Sequence, residues 1–198
     1  VSRRLVVALA GKLNSKLVRQ AIDQWYSNLP SQSGADFEPY KGQQARPEVI
    51  LKHKALSGQA HVNLGFRGLT LSDSRRFALS VLTSYLGQGL SSRLFSELRE
   101  KRGLCYAVHA DEARWTDTGV WGIYAGLNLE KLDQAVTAIL AEVRRVKQEK
   151  LTAQELTSAK EKVRGPLLFT MENPIHQLNF YARQALDRPN EILDYQQV

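Results

Sequence analysis

The stretch Gly89-Leu-Ser-Ser-Arg-Leu-Phe-Ser-Glu-Leu-Arg-Glu-Lys-Arg-Gly-Leu-Cys-Tyr106 carries more information than any other part of the chain. Glycine breaks the backbone at its start, a short amphipathic helix follows, and Gly103 turns the chain into a strand. This reading places Arg99 at the helix end and Tyr106 on the strand, seven residues later (106 − 99). Gly87-Gln-Gly89 just upstream follows a helix rather than a strand and lacks a third glycine. It therefore reads as a helix break rather than a dinucleotide-binding turn.

Outward from this segment the pattern alternates between helices and paired strands. Leu104 to about Ala110 predicts a strand, and Gly119–Gly126 a second that pairs with it across the Asp111–Asp117 connection. Upstream, Ser72 is the expected cap of a helix with Phe77, Val81, Leu82, Tyr85 and Leu86 on its apolar face, and Gln59–Phe66 and Glu48–Lys52 read as strands. The chain opens on a Val- and Leu-rich strand from Arg4 to Ala10, ended by Gly11. Asn14 then caps a helix bearing Leu17, Val18, Ala21, Ile22, Trp25 and Leu29, which Pro30 stops. Residues from about 31 to 47 read as a long flexible connection. Downstream, Leu132, Val136, Ile139, Leu140, Val143 and Val146 form an amphipathic helix, and Thr152-Ala-Gln-Glu155 is a capping box. Gly165-Pro166 predicts a kink or break, and Asn173-Pro174 a new helix with Ile175, Leu178, Tyr181, Ala182 and Leu186 inward. The fold class expected is α+β: helices packed on a mainly antiparallel sheet in a split β-α-β arrangement, as one domain over residues 1–198.

The chain has 198 residues and a formal charge of +7, from 27 Lys and Arg against 20 Asp and Glu. Signs interleave in Arg99–Arg102, Glu142–Lys150 and Lys160–Lys162, as on solvated helix faces, so nucleic acid is not the expected partner. No apolar run reaches the ~20 residues of a membrane span. The first residue is Val1 and the one methionine is Met171, so a fragment or processed product is expected; a soluble bacterial protein of cytoplasm or periplasm fits. One cysteine, Cys105, excludes an intrachain disulfide.

None of His53, His61, His109 and His176 has a second histidine four residues on, so neither H-E-x-x-H nor its inverse H-x-x-E-H is present. His109 with Asp111 and Glu112 is the densest group of potential ligands, yet no metal site is expected. Ser91 and Ser92 read as capping residues, Cys105 as a packed thiol, and Trp25, Trp115 and Trp121 as core or interface.

The segment Ser91-Ser-Arg-Leu…Leu-Arg-Glu-Lys-Arg-Gly-Leu-x-Tyr106 closely resembles the C-terminal half of pitrilysin/insulinase-type zinc peptidases. The resemblance extends to the opening strand with Gly11, Gln59–Gly65, Asp117-Thr-Gly119 and Thr152–Leu156 with Lys160. It implies a metallopeptidase half-domain fold, also seen in processing peptidases, in which Arg99 and Tyr106 bind substrate peptide carbonyls. It further implies that zinc lies on another domain or subunit, which would be the partner together with the peptide. The chain itself would hold no cofactor, carry no catalytic residue and be inactive alone. The alternative is a degenerate scaffold or assembly subunit of the same fold without a proteolytic role.

Overall fold

The structure is a computed structural model describing residues 5–28, 38–42, 44–53 and 58–197. Contacts divide the chain into two units, Tyr40–Arg164 and the two flanks Val1–Pro39 with Gly165–Val198.

The Tyr40–Arg164 unit contains the sheet. Strands β1 (Ala60–Arg67), β2 (Cys105–Arg114) and β3 (Gly119–Leu127) lie in the order β1-β3-β2, every pair antiparallel. β3 thus sits between two parallel strands joined through a helix, the split β-α-β arrangement that the sequence predicts. Alternation decides which side is covered. Trp121, Ile123, Ala125 and Leu127 of β3 and Cys105, Val108 and Ala110 of β2 are buried, with Ala60, Val62 and Leu64 of β1 packed beside them. Onto this side pack α2 (Arg76–Gly87), the π-helix Phe95–Glu100 and α3 (Leu132–Gln148), through Leu86, Leu94, Leu98, Ala135, Ala138 and Ile139. The buried indole of Trp121 donates to Thr83 Oγ1 at 3.0 Å, which satisfies its one polar atom. All of these helices cover one face of the sheet and leave the other open.

Several polar devices hold the helices. Thr152 and Glu155 form the expected capping box: Thr152 N donates to Glu155 Oε2 (2.9 Å), and Glu155 N to Thr152 Oγ1 (3.2 Å). The bonds that Thr152 N and the Thr152 hydroxyl (2.8 Å) donate to this carboxyl, with that from the Tyr85 hydroxyl, hold Glu155 below its ordinary pKa. Arg93 Nε reaches Glu142 Oε2 at 2.6 Å, both side chains largely buried. α2 is not capped by Ser72 as expected. Asp73 Oδ1 accepts from Arg75 N, and the Arg75 guanidinium draws the Asp73 pKa down to about 2. Ser91 and Ser92 make no side-chain cap either; the buried Ser92 hydroxyl has no partner.

The flanking unit is built around helices. α1 (Ser15–Ser27) starts where Asn14 accepts from Lys16 N (3.1 Å) and Leu17 N (3.2 Å), as the sequence predicts. Its apolar stripe is not buried, and Trp25 is half exposed. α4 (Ala153–Met171) runs through Gly165-Pro166 without the expected break, although the division between the two units falls at Gly165. α5 (Pro174–Asp187) is capped by Asn173, but Ile175 and Leu186 face solvent. The buried residue is instead Gln184, whose amide clamps Leu193 by accepting from its N–H (2.9 Å) and donating to its carbonyl (3.0 Å).

Two expected strands are not formed. Residues 5–10 and 48–52 are irregular, and Val49 and Leu51 are about nine-tenths exposed. β-rich composition marks a segment that fits a pleated surface, but a strand exists only with a ladder partner. Leu29, Pro30, and residues 31–37 and 43 of the expected 31–47 connection, lie outside the described residues; its described parts are irregular.

Candidate functional site

Arg99 occupies the last turns of the π-helix, where Lys101 N bonds to Ser96 O five residues back at 3.0 Å. Such wide turns are rare and concentrate at functional sites. Gly103, in the left-handed conformation (φ 57°), then reverses the chain, with Gly103 N donating to Arg99 O (3.2 Å) and Leu104 N to Leu98 O (2.7 Å). These bonds fasten the helix end to the start of β2. The Arg99 guanidinium stands over the Phe95 ring at 5.0 Å and is exposed. Lys101 and Arg102 are drawn to Glu97 (2.6 and 3.9 Å), whereas Arg99 pairs with no carboxylate among the described residues. Its positive charge reaches Cys105 and opposes the upward pull that burial exerts on the thiol pKa.

Tyr106 sits at a β-bulge. Cys105 is opposite Leu127 and Ala107 is opposite Gly126, so Tyr106 is an extra residue without a partner on β3. Without the bulge, Cys105 and Ala107 would share a face. With it, Cys105 and Val108 are both buried, and Tyr106 and Ala107 are both exposed. The bulge therefore turns the Tyr106 ring away from the core. Periodicity alone cannot see it, because an extra residue looks like any other residue of a strand.

The open face carries more than this pair. His61, Asn63 and Gly65 of β1, Gly122, Tyr124 and Gly126 of β3, and His109 and Asp111 of β2 alternate away from the core. The Tyr124 hydroxyl is 2.8 Å from His61 Nδ1, and its ring stacks on His109 (centroids 4.8 Å, 27° apart). His109 Nε2 lies 3.0 Å from Asp111 Oδ2. Glu112 does not join them: it faces the helices, where Ser80 donates to its Oε1 (2.7 Å) and Arg114 Nη2 lies 2.5 Å away. The trio His109, Asp111 and Glu112 is therefore split between two faces by strand alternation. His61 and Tyr124 were not among the residues expected to bind substrate. Period-two alternation places each on the polar side of its strand, but their juxtaposition depends on register.

No group of three or more His, Cys, Asp or Glu among the described residues could hold a metal ion. The donor set thus does not fit zinc. A polar cavity of about 350 Å³ lies among the helices, lined by Tyr85, Arg93, Glu97, Glu155 and Lys162 among others. Its charges are engaged with one another, with Glu142 or with the Ser91 carbonyl. No helix among the described residues is long and apolar enough to cross a membrane.

Residues 1–163 match the sequence profile of the Peptidase M16 inactive domain. The chain belongs to the M16 peptidase family. An uncharacterized zinc protease of Streptomyces coelicolor is 35% identical over 92% of this chain and 41% of its own length. One from Bacillus subtilis is 29% identical over 92% and 44%. The M16 chain thus spans less than half the length of these curated relatives. A protease from Helicobacter pylori superposes with a TM-score of 0.78 at 25% identity, over 95% of this chain and 47% of that one. A peptidase M16 inactive domain from Pseudomonas fluorescens shares the fold, with a TM-score of 0.60 at 22% identity, over 71% of this chain and 36% of that one. The resemblance drawn from Ser91–Tyr106 is borne out at the level of family and of the inactive domain.

Proposed function

We propose that this M16 inactive domain is the substrate-binding half of a zinc metallopeptidase, in which Arg99 and Tyr106 donate hydrogen bonds to carbonyl oxygens of an extended peptide. The observation that carries this reading is the paired irregularity: a π-turn presents Arg99 and a bulge presents Tyr106, on either side of one glycine reversal. Wide helical turns concentrate at functional sites and bulges re-aim side chains, so both departures support a role for the side chains they expose. A guanidinium offers five N–H donors and no acceptor, and a phenol offers one directional O–H. Both suit a carbonyl oxygen, and such bonds tighten as that oxygen gains negative charge in the transition state.

Zinc and the water that attacks the peptide belong, in this reading, to a second domain or subunit carrying H-x-x-E-H. The soluble peptide substrate then meets two surfaces, one bringing the metal and the other holding the backbone. Peptide hydrolysis assayed with this domain alone, with the zinc half alone and with both together, each with and without chelator, tests the division. Cleavage is expected only with both halves and no chelator. Chelator-sensitive cleavage by this domain alone would refute it.

A further inference from the structure

The geometry points to a second recognition element on the open face: His61 and Tyr124 form a subsite for an acidic side chain of the bound peptide, about three residues from the carbonyl held by Arg99 and Tyr106. The inference rests on the peptide-binding reading above and extends it to specificity.

The register fixes the layout. Gly126 of β3 is opposite His61 on β1 and opposite Ala107, next to Tyr106, on β2. His61 and Tyr106 therefore stand at the two ends of one row across the sheet. Two interstrand spacings separate their strands, roughly 9.5 Å, and three residues of extended peptide span roughly 10 Å. Gly126 makes the middle of the row available to Tyr124. A Cβ at Gly126 would lie 3.2 Å from the Tyr124 hydroxyl, so the phenol lies over this glycine on its way to His61. The hydroxyl is thus held in the row, between the two ends, rather than pointing into solvent above its own strand.

The chemistry selects the occupant. With a neutral His61 ring, the 2.8 Å bond to Tyr124 uses either the phenol proton or the Nδ1 proton, and one of the two outward groups is left as an acceptor. With His61 protonated, Nδ1–H donates to the phenol oxygen, and both Nε2–H and the phenol O–H are free to donate outward. That form presents two donors and a positive charge, which matches a carboxylate and none of the neutral side chains. The surroundings agree. The ionisable groups sharing this face are Arg67, Tyr106, His109, Asp111 and Tyr124. Of these, Asp111 is the one acid, and it is engaged by His109 at 3.0 Å. Arg67, four residues along β1 from Asn63, the partner of Tyr124, donates to Gly42 O at 3.1 Å. No carboxylate of this face competes with a ligand for His61 among the described residues.

The test uses the complete two-half enzyme and unstructured ten-residue peptides, C-terminally amidated, in which one glutamate is walked along the sequence and compared with glutamine at the same place. We expect kcat/KM to favour glutamate over glutamine about tenfold at one position, and His61→Gln or Tyr124→Phe to bring that ratio to about one. In parallel, the His61 ring carbon–proton NMR signal, assigned through His61→Gln, should titrate at higher pH when an uncleaved glutamate peptide is bound than when its glutamine counterpart is bound. A ratio that both variants leave intact, or an His61 titration indifferent to the carboxylate, overturns the subsite. A preference that appears only with a free C-terminal carboxylate overturns the side-chain assignment. Arg99→Lys lowering cleavage of all peptides while the glutamate ratio ignores His61 would sink this inference and leave the carbonyl-binding reading standing; the carbonyl-binding reading itself fails if Arg99→Lys changes nothing.

Discussion

The two faces of the three-stranded sheet are made from alternate residues of the same strands, yet they differ in kind. The helix-covered face is aliphatic and aromatic, with Ile123, Ala125 and Leu127 at 1% exposure or less. The open face carries two histidines, a tyrosine, an aspartate and three glycines, and is flanked by the Arg99 turn and the Tyr106 bulge. Folding free energy resides on the first face, because burial of apolar surface is what offsets chain entropy. The second face is free to be chosen for binding, since exposed side chains there add little to stability. Strand alternation thus lets ten residues of β2 serve both purposes without compromise between them.

That contrast can be broken by substitution. The largest effect is expected in the core: Ile139→Ala, at a position with no solvent exposure, should lower unfolding free energy by about 3 kcal/mol, read from the urea midpoint. A midpoint unchanged by Ile139→Ala would mean that α3 does not hold the covered face. Next comes Glu142→Ala, which leaves the largely buried Arg93 with the more distant Glu97 (3.9 Å) as its carboxylate; a loss of about 2 kcal/mol is expected. Thr152→Ala should cost about 1 kcal/mol by removing the cap of α4. Its cost should depend on pH in a defined direction. The Glu155 carboxyl is held below its ordinary value in the folded state, so its contribution is complete above about pH 4.5 and is lost as pH falls through the lowered folded value. The difference between Thr152→Ala and the parent domain should therefore shrink without vanishing as pH falls below about 4.5, because the bond from the Thr152 hydroxyl to the carboxylate is lost on protonation while the bond from Glu155 N to that hydroxyl persists. A difference independent of pH, measured by urea unfolding at a series of pH values, would argue against any share for the carboxylate.

Much of the covered face was legible in the sequence, because its cause is local. Apolar spacing identified α3 and the β2–β3 hairpin, and Asn14, Asn173 and Thr152 announced their helices by cap chemistry that acts within three residues. The open face was legible only in part. Arg99 and Tyr106 stood out by resemblance, but the π-turn and bulge that expose them are one-residue irregularities without a compositional mark. The His61–Tyr124–His109 cluster joins three strands through register, which no single strand encodes. Residues 5–10 and 48–52 failed as strands for the converse reason: their composition suits a sheet, but a ladder needs a neighbour that local sequence cannot supply. The structural alternative for Ser91 and Ser92, helix capping, also failed, since the buried Ser92 hydroxyl caps nothing.

The account turns on Arg99 and Tyr106, and kinetics with unfolding measured on the same preparations tests it most directly. In the complete enzyme, Arg99→Lys keeps the charge and removes the fork, and Tyr106→Phe keeps the ring and removes the hydroxyl. Each should lower kcat by about 10²-fold, with a smaller change in KM and an unfolding midpoint within about 0.5 kcal/mol of the parent. Unchanged turnover in both variants would contradict peptide binding by this face and assign the domain to a scaffold role.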